Sequence, residues 1–263
     1  MKFIITIDDA DEKTLKLFLS ERFNIPIVVG VPAGLIGKNF ENRNIASKKL
    51  IFNAIQNLNI EIASHGYYHV TPAYNIRGKI EKTFSRVKSF PDKIDYFFRI
   101  LHFFAFNKND DDKKEIFEFE KNKEIIDSKN MLEKIFGKKI IAFLYPGGYF
   151  DKNIASSVSK NYTFARTSEI GPNLIEDLNN DSNKFLLNTI SFSKYTNFSK
   201  IEKYYKRLLE EEKQGKKEIL IIEAYHIISR SGSDRLYSCL FDDFKKHCEF
   251  LKSIGKINKF LDF

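Results

Sequence analysis

The sequence predicts an α/β architecture, either a barrel or a doubly wound sheet, and three observations lead there. Short continuous apolar runs bounded by polar residues recur along the chain, the pattern of strands buried in a parallel sheet. Stretches with helical apolar spacing alternate with them, which is the rhythm of βα units. Side chains able to do chemistry stand where several of the apolar runs stop, and in α/β barrels those strand ends carry the site. No internal repeat and no Pro/Ser-rich linker divides the chain, so residues 1–263 read as one domain.

The first run, Lys2-Phe-Ile-Ile-Thr-Ile7, ends in two adjacent carboxylates, Asp8 and Asp9. Such a pair repels itself unless a cation or a shared proton relieves it. The plainer role is a helix cap before Glu12–Leu19, which one aspartate alone could supply. A second strand is expected over Ile25–Val31, a helix over 46–58 from the spacing of Leu50, Ile51, Ala54, Ile55 and Leu58, and a third strand over Ile60–Ser64. That strand runs into His65-Gly-Tyr-Tyr-His69. Residues 74–117 break the rhythm with a Lys-, Phe- and Asp-rich insertion. Regularity returns with a helix over 118–136 capped by Gly137, a strand over Lys139–Tyr145 stopped by Pro146-Gly-Gly148, and a short helix over 151–160. Two strands follow at Tyr162–Thr167 and Phe185–Phe192, then a charged amphipathic helix over 198–213. Glu218–His226 is a further strand, 240–254 a last helix, and Ile257–Leu261 closes the series.

Composition limits the function classes. The 263 residues are 43% hydrophobic and 30% charged, fitting a soluble globular protein. Net charge is +8, but the lysines are scattered and read as solvated surface, so a nucleic-acid partner is not expected. Two late cysteines, Cys239 and Cys248, have no metal-type spacing and imply no disulfide framework. The chain opens on a strand without a tripartite leader, and no apolar run approaches membrane-spanning length; the expected location is cytoplasmic.

Three predicted strand ends carry reactive side chains: Asp8 with Asp9, His65 with His69, and His226. The His-x-x-x-His spacing would put both imidazoles on one side of a helical turn, close enough to share a cation. Two imidazoles and one carboxylate make an open site for Zn²⁺, Fe²⁺ or Co²⁺. An i, i+4 histidine pair can be a surface coincidence, yet three of only five histidines fall at strand ends. His102 and His247 lie in predicted helical segments and read as structural.

These residues carry a resemblance. Thr6-Ile-Asp-Asp-Ala10, Ser64-His-Gly-Tyr-Tyr-His69, Phe143-Leu-Tyr-Pro-Gly-Gly148, Ala165-Arg-Thr167 and Ile221-Ile-Glu-Ala-Tyr-His226 resemble, in order, motifs of the NodB-type polysaccharide deacetylases, carbohydrate esterase family four. The resemblance implies a distorted (β/α)₇ barrel with Asp9, His65 and His69 as metal ligands. It implies Asp8 as general base and His226 as the acid for the leaving amine. The oxyanion of such a reaction needs the metal and a backbone N–H, for which the Pro146-Gly147 turn is the candidate, with Gly147, Tyr145 and Arg166 as oxyanion or positioning residues. The expected cofactor is one divalent ion, Zn²⁺ foremost and Co²⁺ or Fe²⁺ next. The chain departs from the family in having Leu144 where an arginine is common, Gly147 where an aromatic is common, and Ala10 for a glycine. It also lacks the aspartate and tryptophan of the fourth motif, so what orients His226 is open; Arg166 and Glu169 are candidate substitutes.

The implied function is removal of an N-acyl group from an amino sugar, nucleotide-linked, lipid-linked or small. A deformylase on a lipid-linked aminosugar and a non-catalytic sugar-binding barrel are the alternatives. In the insertion, Ile94, Phe97, Phe98, Leu101, Phe104 and Ala105 share a helical face. That face, within 90–106, would dock on the barrel, form a homo-oligomer interface, or touch a membrane or lipid carrier.

Overall fold

Strand β1, Lys2–Ile7, is the axis of the computed structural model, which describes residues 1–70, 120–215, 217–231 and 235–263. One edge of β1 pairs in parallel with Ile219–Tyr225 along its whole length. The other edge pairs first with Lys256–Asn258 and then with Ile27–Val31, again in parallel. With neighbours on both edges and cover on both faces, Phe3, Ile4, Ile5 and Ile7 are fully buried. Each such side chain contributes about 1.5–3 kcal/mol through burial.

The principal strands are β1, β2 (Ile27–Val31), β3 (Ile60–Ser64), β4 (Ala142–Leu144), β5 (Phe164–Arg166), β6 (Ile190–Ser191), β7 (Ile219–Tyr225) and β8 (Lys256–Asn258). They form one curved sheet in the order β5-β4-β3-β2-β1-β7, with β6 added to β7 and β8 to β1, every one of these pairings parallel. Helices α1 (Glu12–Ser20), α2 (Lys48–Asn57), α3 (Ser128–Phe136), α4 (Lys152–Asn161), α5 (Phe198–Lys213) and α6 (Phe241–Ile254) flank it. The whole is a distorted (β/α) barrel, open between β5 and β7, where among the described residues β6, the short strand Asn173–Leu174 and an isolated Arg166–Leu187 bridge occupy the gap.

The two-residue period of a strand sorts side chains onto two faces. Phe3, Ile5 and Ile7 belong to the larger core between sheet and helices. Ile4, Val28, Ala63, Leu144, Phe164, Leu220 and Ile222 form a second core inside the barrel. Counting on in twos, the inward series continue to Asp8, Gly30, His65, Arg166 and His226, so the site residues form the layer above an apolar plug.

Several sequence expectations need correction. The strand expected over 185–192 is broken into a 3₁₀ turn at Asn183–Phe185, a single bridge at Leu187 and the two residues of β6. The backbone between is taken by other partners: Asn188 N–H donates to Asn173 Oδ1 at 2.7 Å, and Thr189 N–H to the Glu169 carbonyl at 2.7 Å. Asn173–Leu174 pairs antiparallel to β7, and Ile227–Ser229 pairs with Ser238–Leu240; neither was anticipated. The insertion expected at 74–117, its 90–106 face and His102 lie outside the described residues. Among the described residues no helix is long and apolar enough to cross a membrane.

On the outward face of β7, Glu223 is fully buried and accepts from Tyr205 Oη at 2.8 Å, Tyr225 Oη at 2.9 Å and His247 Nε2 at 2.8 Å. Burial pulls the His247 pKa down, but the Glu223 charge and hydrogen bond, helped by Glu202, raise it above its ordinary value. A histidine whose folded pKa is raised stabilises most below its unfolded pKa, and that contribution fades as pH rises through the folded one. His247→Phe should therefore cost more stability at pH 6 than at pH 9 in urea unfolding; equal losses at both would contradict the buried ion pair.

Candidate metal centre

The helix cap next to the two carboxylates is supplied by a third one. Asp11 Oδ1 accepts from Thr14 N at 2.8 Å and Thr14 Oγ1 at 2.9 Å, capping α1. Asp8 and Asp9 are thereby left to the site. They lie in a tight turn whose next two residues are left-handed, Asp9 at φ 68° and Ala10 at φ 49°. That turn lets Asp8 continue the inward face of β1 while Asp9 swings aside. Each left-handed non-glycine residue costs about 1–2 kcal/mol, which the surrounding charges must offset.

Asp9 Oδ1 stands 3.2 Å from His69 Nε2 and 3.6 Å from His65 Nε2, and the two imidazole rings meet edge to face at 4.7 Å. The expected helical turn does not form. Residues 65–70 are an irregular loop in which Gly66 (φ 77°) and His69 (φ 60°) are left-handed, and this double reversal brings the histidines together. His65 Nδ1 lies 2.7 Å from the Leu144 carbonyl. A carbonyl only accepts, so Nδ1 carries the proton and Nε2 presents its lone pair to the site, as metal-ligating histidines require. Room for this ring comes from Gly30, where a Cβ would stand 2.7 Å from Leu144 Cδ1 and 3.4 Å from His65 Cβ.

The donor set fits a divalent cation. Ligand atoms of Asp9, His65 and His69 all lie within 4.8 Å of one another. Among the described residues, Asp9 Oδ1 and His65 Nε2 are buried polar atoms without a hydrogen-bond partner, an expensive condition that a bound cation would relieve. Burial drives the His69 pKa down to about 3, so its imidazole is neutral and able to ligate. Burial raises the Asp9 pKa, but its positive surroundings, with the Arg43 guanidinium in contact, outweigh that and leave it lowered.

Two arginines complete the electrostatics. Arg43, at the start of Arg43–Asn44 in a short hairpin with Asn39–Phe40, puts Nη2 2.6 Å from Asp9 Oδ2. Arg166 Nη2 donates to Asp8 Oδ1 and lies 3.3 Å from Thr6 Oγ1. Burial works upward on the Asp8 pKa, yet Arg166 above all, with His65 and His226, leaves it lowered. Arg166 thus meets the aspartate, not His226, and Leu144 contributes a backbone carbonyl where the family's arginine is common.

His226 Nε2 is 3.8 Å from Asp8 Oδ2. Its ring stacks on Tyr237 at 5.0 Å, Nδ1 has no hydrogen-bond partner among the described residues, and burial holds its pKa below the ordinary value. At the remaining predicted positions, Tyr145 N–H donates to the Arg166 carbonyl at 3.2 Å and Gly147 is left-handed at φ 61°. Sequence reasoning missed Arg43 and Tyr237, which belong to no motif. An arginine six residues after Gly37 and a single aromatic, Tyr237, gave no period to read.

Comparison with known proteins contributes fold. No family model and no curated protein matches the chain. Among solved structures, PuuE allantoinase matches with TM-score 0.54 and 11% identity over 99% of this chain and 88% of that one. A de-N-acetylase from Aggregatibacter actinomycetemcomitans gives 0.52 and 13%, covering 76% and 74%. A family 4 acetyl xylan esterase from Clostridium thermocellum, in complex with a cobalt ion, gives 0.50 and 12%, covering 100% and 89%. The chain spans only 45% of the length of a polysaccharide deacetylase from Bacillus cereus that it also resembles. This chain shares the fold of these structures, and its Asp9, His65 and His69 form a cluster that could hold one metal ion. The cluster has the form of a metal-dependent hydrolase active site.

One divalent cation should bind the purified protein, and His65→Ala or His69→Ala should remove most of the affinity, because two protein ligands rarely hold a catalytic metal. Elemental analysis showing full occupancy in both variants would reject the triad.

Proposed function

We propose that the protein is a metal-dependent hydrolase that removes an N-acyl group, acetyl in the simplest case, from an amino sugar. The observation that supports this most is the pairing of a complete ligand triad with two proton-carrying groups, Asp8 and His226, facing each other beside it. A module that only bound sugar would need neither. A divalent cation held by Asp9, His65 and His69, Zn²⁺ foremost with Co²⁺ or Fe²⁺ as alternatives, would acidify water and polarise the scissile carbonyl.

Within that reading the chain's own groups divide the work. Asp8, kept ionised by Arg166, takes the proton of the attacking water. Arg166 also fixes which oxygen of Asp8 is occupied, so Oδ2 faces His226. The Gly147 N–H is the candidate donor to the developing oxyanion, since Tyr145 has given its own N–H to Arg166. Tyr145 and Arg166 act as positioning residues. His226 delivers a proton to the departing amine, and its lowered pKa makes the protonated imidazole a strong donor. Nucleotide-linked, lipid-linked and small N-acylated amino sugars are the substrate classes to try first, with and without added Zn²⁺ or Co²⁺. Carboxylate release from none of them, by a protein that holds its metal, would overturn the proposal.

Two substitutions separate the roles. Asp8→Asn should keep the metal and lose ~10²-fold or more in kcat, because an amide cannot accept the proton; loss of the metal instead would mean that the two aspartates have exchanged roles. His226→Ala should harm amide cleavage far more than aryl acetate cleavage, since an aryloxide leaves without a proton. Equal losses on both substrates would make His226 a positioning group.

A further inference from the structure

The loop that carries His69 has an unusual support. Its carbonyls and its N–H groups are gathered on opposite sides. The Gly66 and Tyr67 carbonyls accept from Ala33 N at 3.0 Å and Gly34 N at 2.8 Å, in the turn after β2. The N–H groups converge on a single side chain: Glu124 Oε2 accepts from Tyr67 at 2.8 Å and Val70 at 3.4 Å, and Oε1 accepts from Tyr68 at 2.9 Å. A carboxylate that gathers three backbone N–H groups acts as a template for the backbone around it.

Glu124 is itself held firmly. It is buried, in the π-turn Lys123–Asp127 that leads into α3. Turns of that kind are uncommon inside helices and recur at functional sites. Its carbonyl accepts from Ser128 Oγ at 2.5 Å, and Ser128 Oγ is 2.9 Å from Ser64 Oγ, the last residue of β3 before His65. Tyr162 Oη donates to the next carbonyl, Ile125, at 2.7 Å, and Lys123 Nζ lies 4.2 Å from the Tyr67 ring centroid. The loop is shaped to the carboxylate in turn: a Cβ on Gly66 would stand 2.4 Å from Glu124 Oε2. Only glycine lets the backbone pass so close.

We propose that Glu124 is a positioning residue for the metal centre: its carboxylate holds loop 66–70 in the left-handed turn that aims His69 at Asp9. The inference rests on the reading of Asp9, His65 and His69 as ligands. His69 contributes Nε2 from a residue at φ 60°, a conformation that a free loop would rarely hold. Without the three N–H bonds the loop keeps only its carbonyl contacts to Ala33 and Gly34, both before His69, and the third ligand is no longer held in place before the metal arrives. The cost appears in metal affinity rather than in the bond-breaking step.

The test measures Zn²⁺ affinity of the metal-free protein by chelator competition, with thermal unfolding of the same samples. Glu124→Gln keeps the shape but turns an NH₂ toward N–H donors, and Glu124→Ala removes the template. Both should weaken Zn²⁺ binding tenfold or more, the range seen when a group supporting a metal ligand is removed. Glu133→Gln is the control, because Glu133 also accepts a backbone N–H, from Ile140 at 2.9 Å, but on the far end of the same helix. It should lower the melting temperature without moving the affinity. If Glu124→Ala does not fold, Glu124→Gln carries the test. Affinity within twofold of wild type in a folded Glu124 variant overturns the proposal. Failure of the wild type to bind Zn²⁺ would instead overturn the ligand reading itself.

Discussion

Two adjacent carboxylates, Asp8 and Asp9, are buried at the end of the central strand, and the neighbourhood is arranged to make that tolerable. Like charges about 4 Å apart repel by about 4 kcal/mol at an effective dielectric of 20, on top of the penalty of leaving water. Each aspartate has its own arginine, Arg166 on Asp8 and Arg43 on Asp9, brought from opposite parts of the chain. Counted formally, two carboxylates and two guanidiniums cancel, and the neutral imidazole of His69 adds no charge. A divalent cation would make the site net positive, which favours the negative charge that gathers on a carbonyl oxygen as water attacks it.

The sheet explains why so much of this could be read from the sequence. Apolar runs gave the parallel strands, and parallel strands put their C-terminal ends at one mouth of a barrel. Asp8, His65 and His226 follow those runs directly, so chain position nearly fixed their place in space. Arg166 is also explained by parity, being two residues beyond the inward-facing Phe164. Its partner was not legible, because a strand position states where a long side chain starts and not where it ends. The geometry of His65–His69 was misread for a related reason: the four-residue spacing fits a helix, but Gly66 and the Glu124 template impose a loop. Arg43 reaches the site from a segment without motif or periodicity, and Glu124 from a predicted helix whose pattern does not say what a polar side chain on it meets. Their contacts span 34 and 54–57 residues of chain, beyond what local pattern can encode.

The fold alone leaves the chemistry open, since an allantoinase, a de-N-acetylase and an acetyl xylan esterase all share it. What narrows the choice in this chain is the set of side chains above the apolar plug. An aspartate held ionised by an arginine, and a histidine near it whose Nδ1 has no hydrogen-bond partner among the described residues, are the groups that the proposed amide hydrolysis would use to protonate its leaving group. Tyr237, stacked on that histidine, replaces orientation by charge with orientation by packing. Stability and function meet in β7, whose outward Glu223 anchors a buried polar network while its inward face leads to His226.

Two strand-end loops, one after β1 and one after β3, converge on the proposed cation position between Asp9, His65 and His69. Anomalous diffraction from crystals soaked in Co²⁺, recorded on both sides of the cobalt edge, tests it most directly. One dominant peak is expected within bonding distance of Asp9 Oδ1, His65 Nε2 and His69 Nε2, with Arg166 still on Asp8. A cobalt peak elsewhere, or Asp9 turned wholly to Arg43 with the histidines unoccupied, would contradict it.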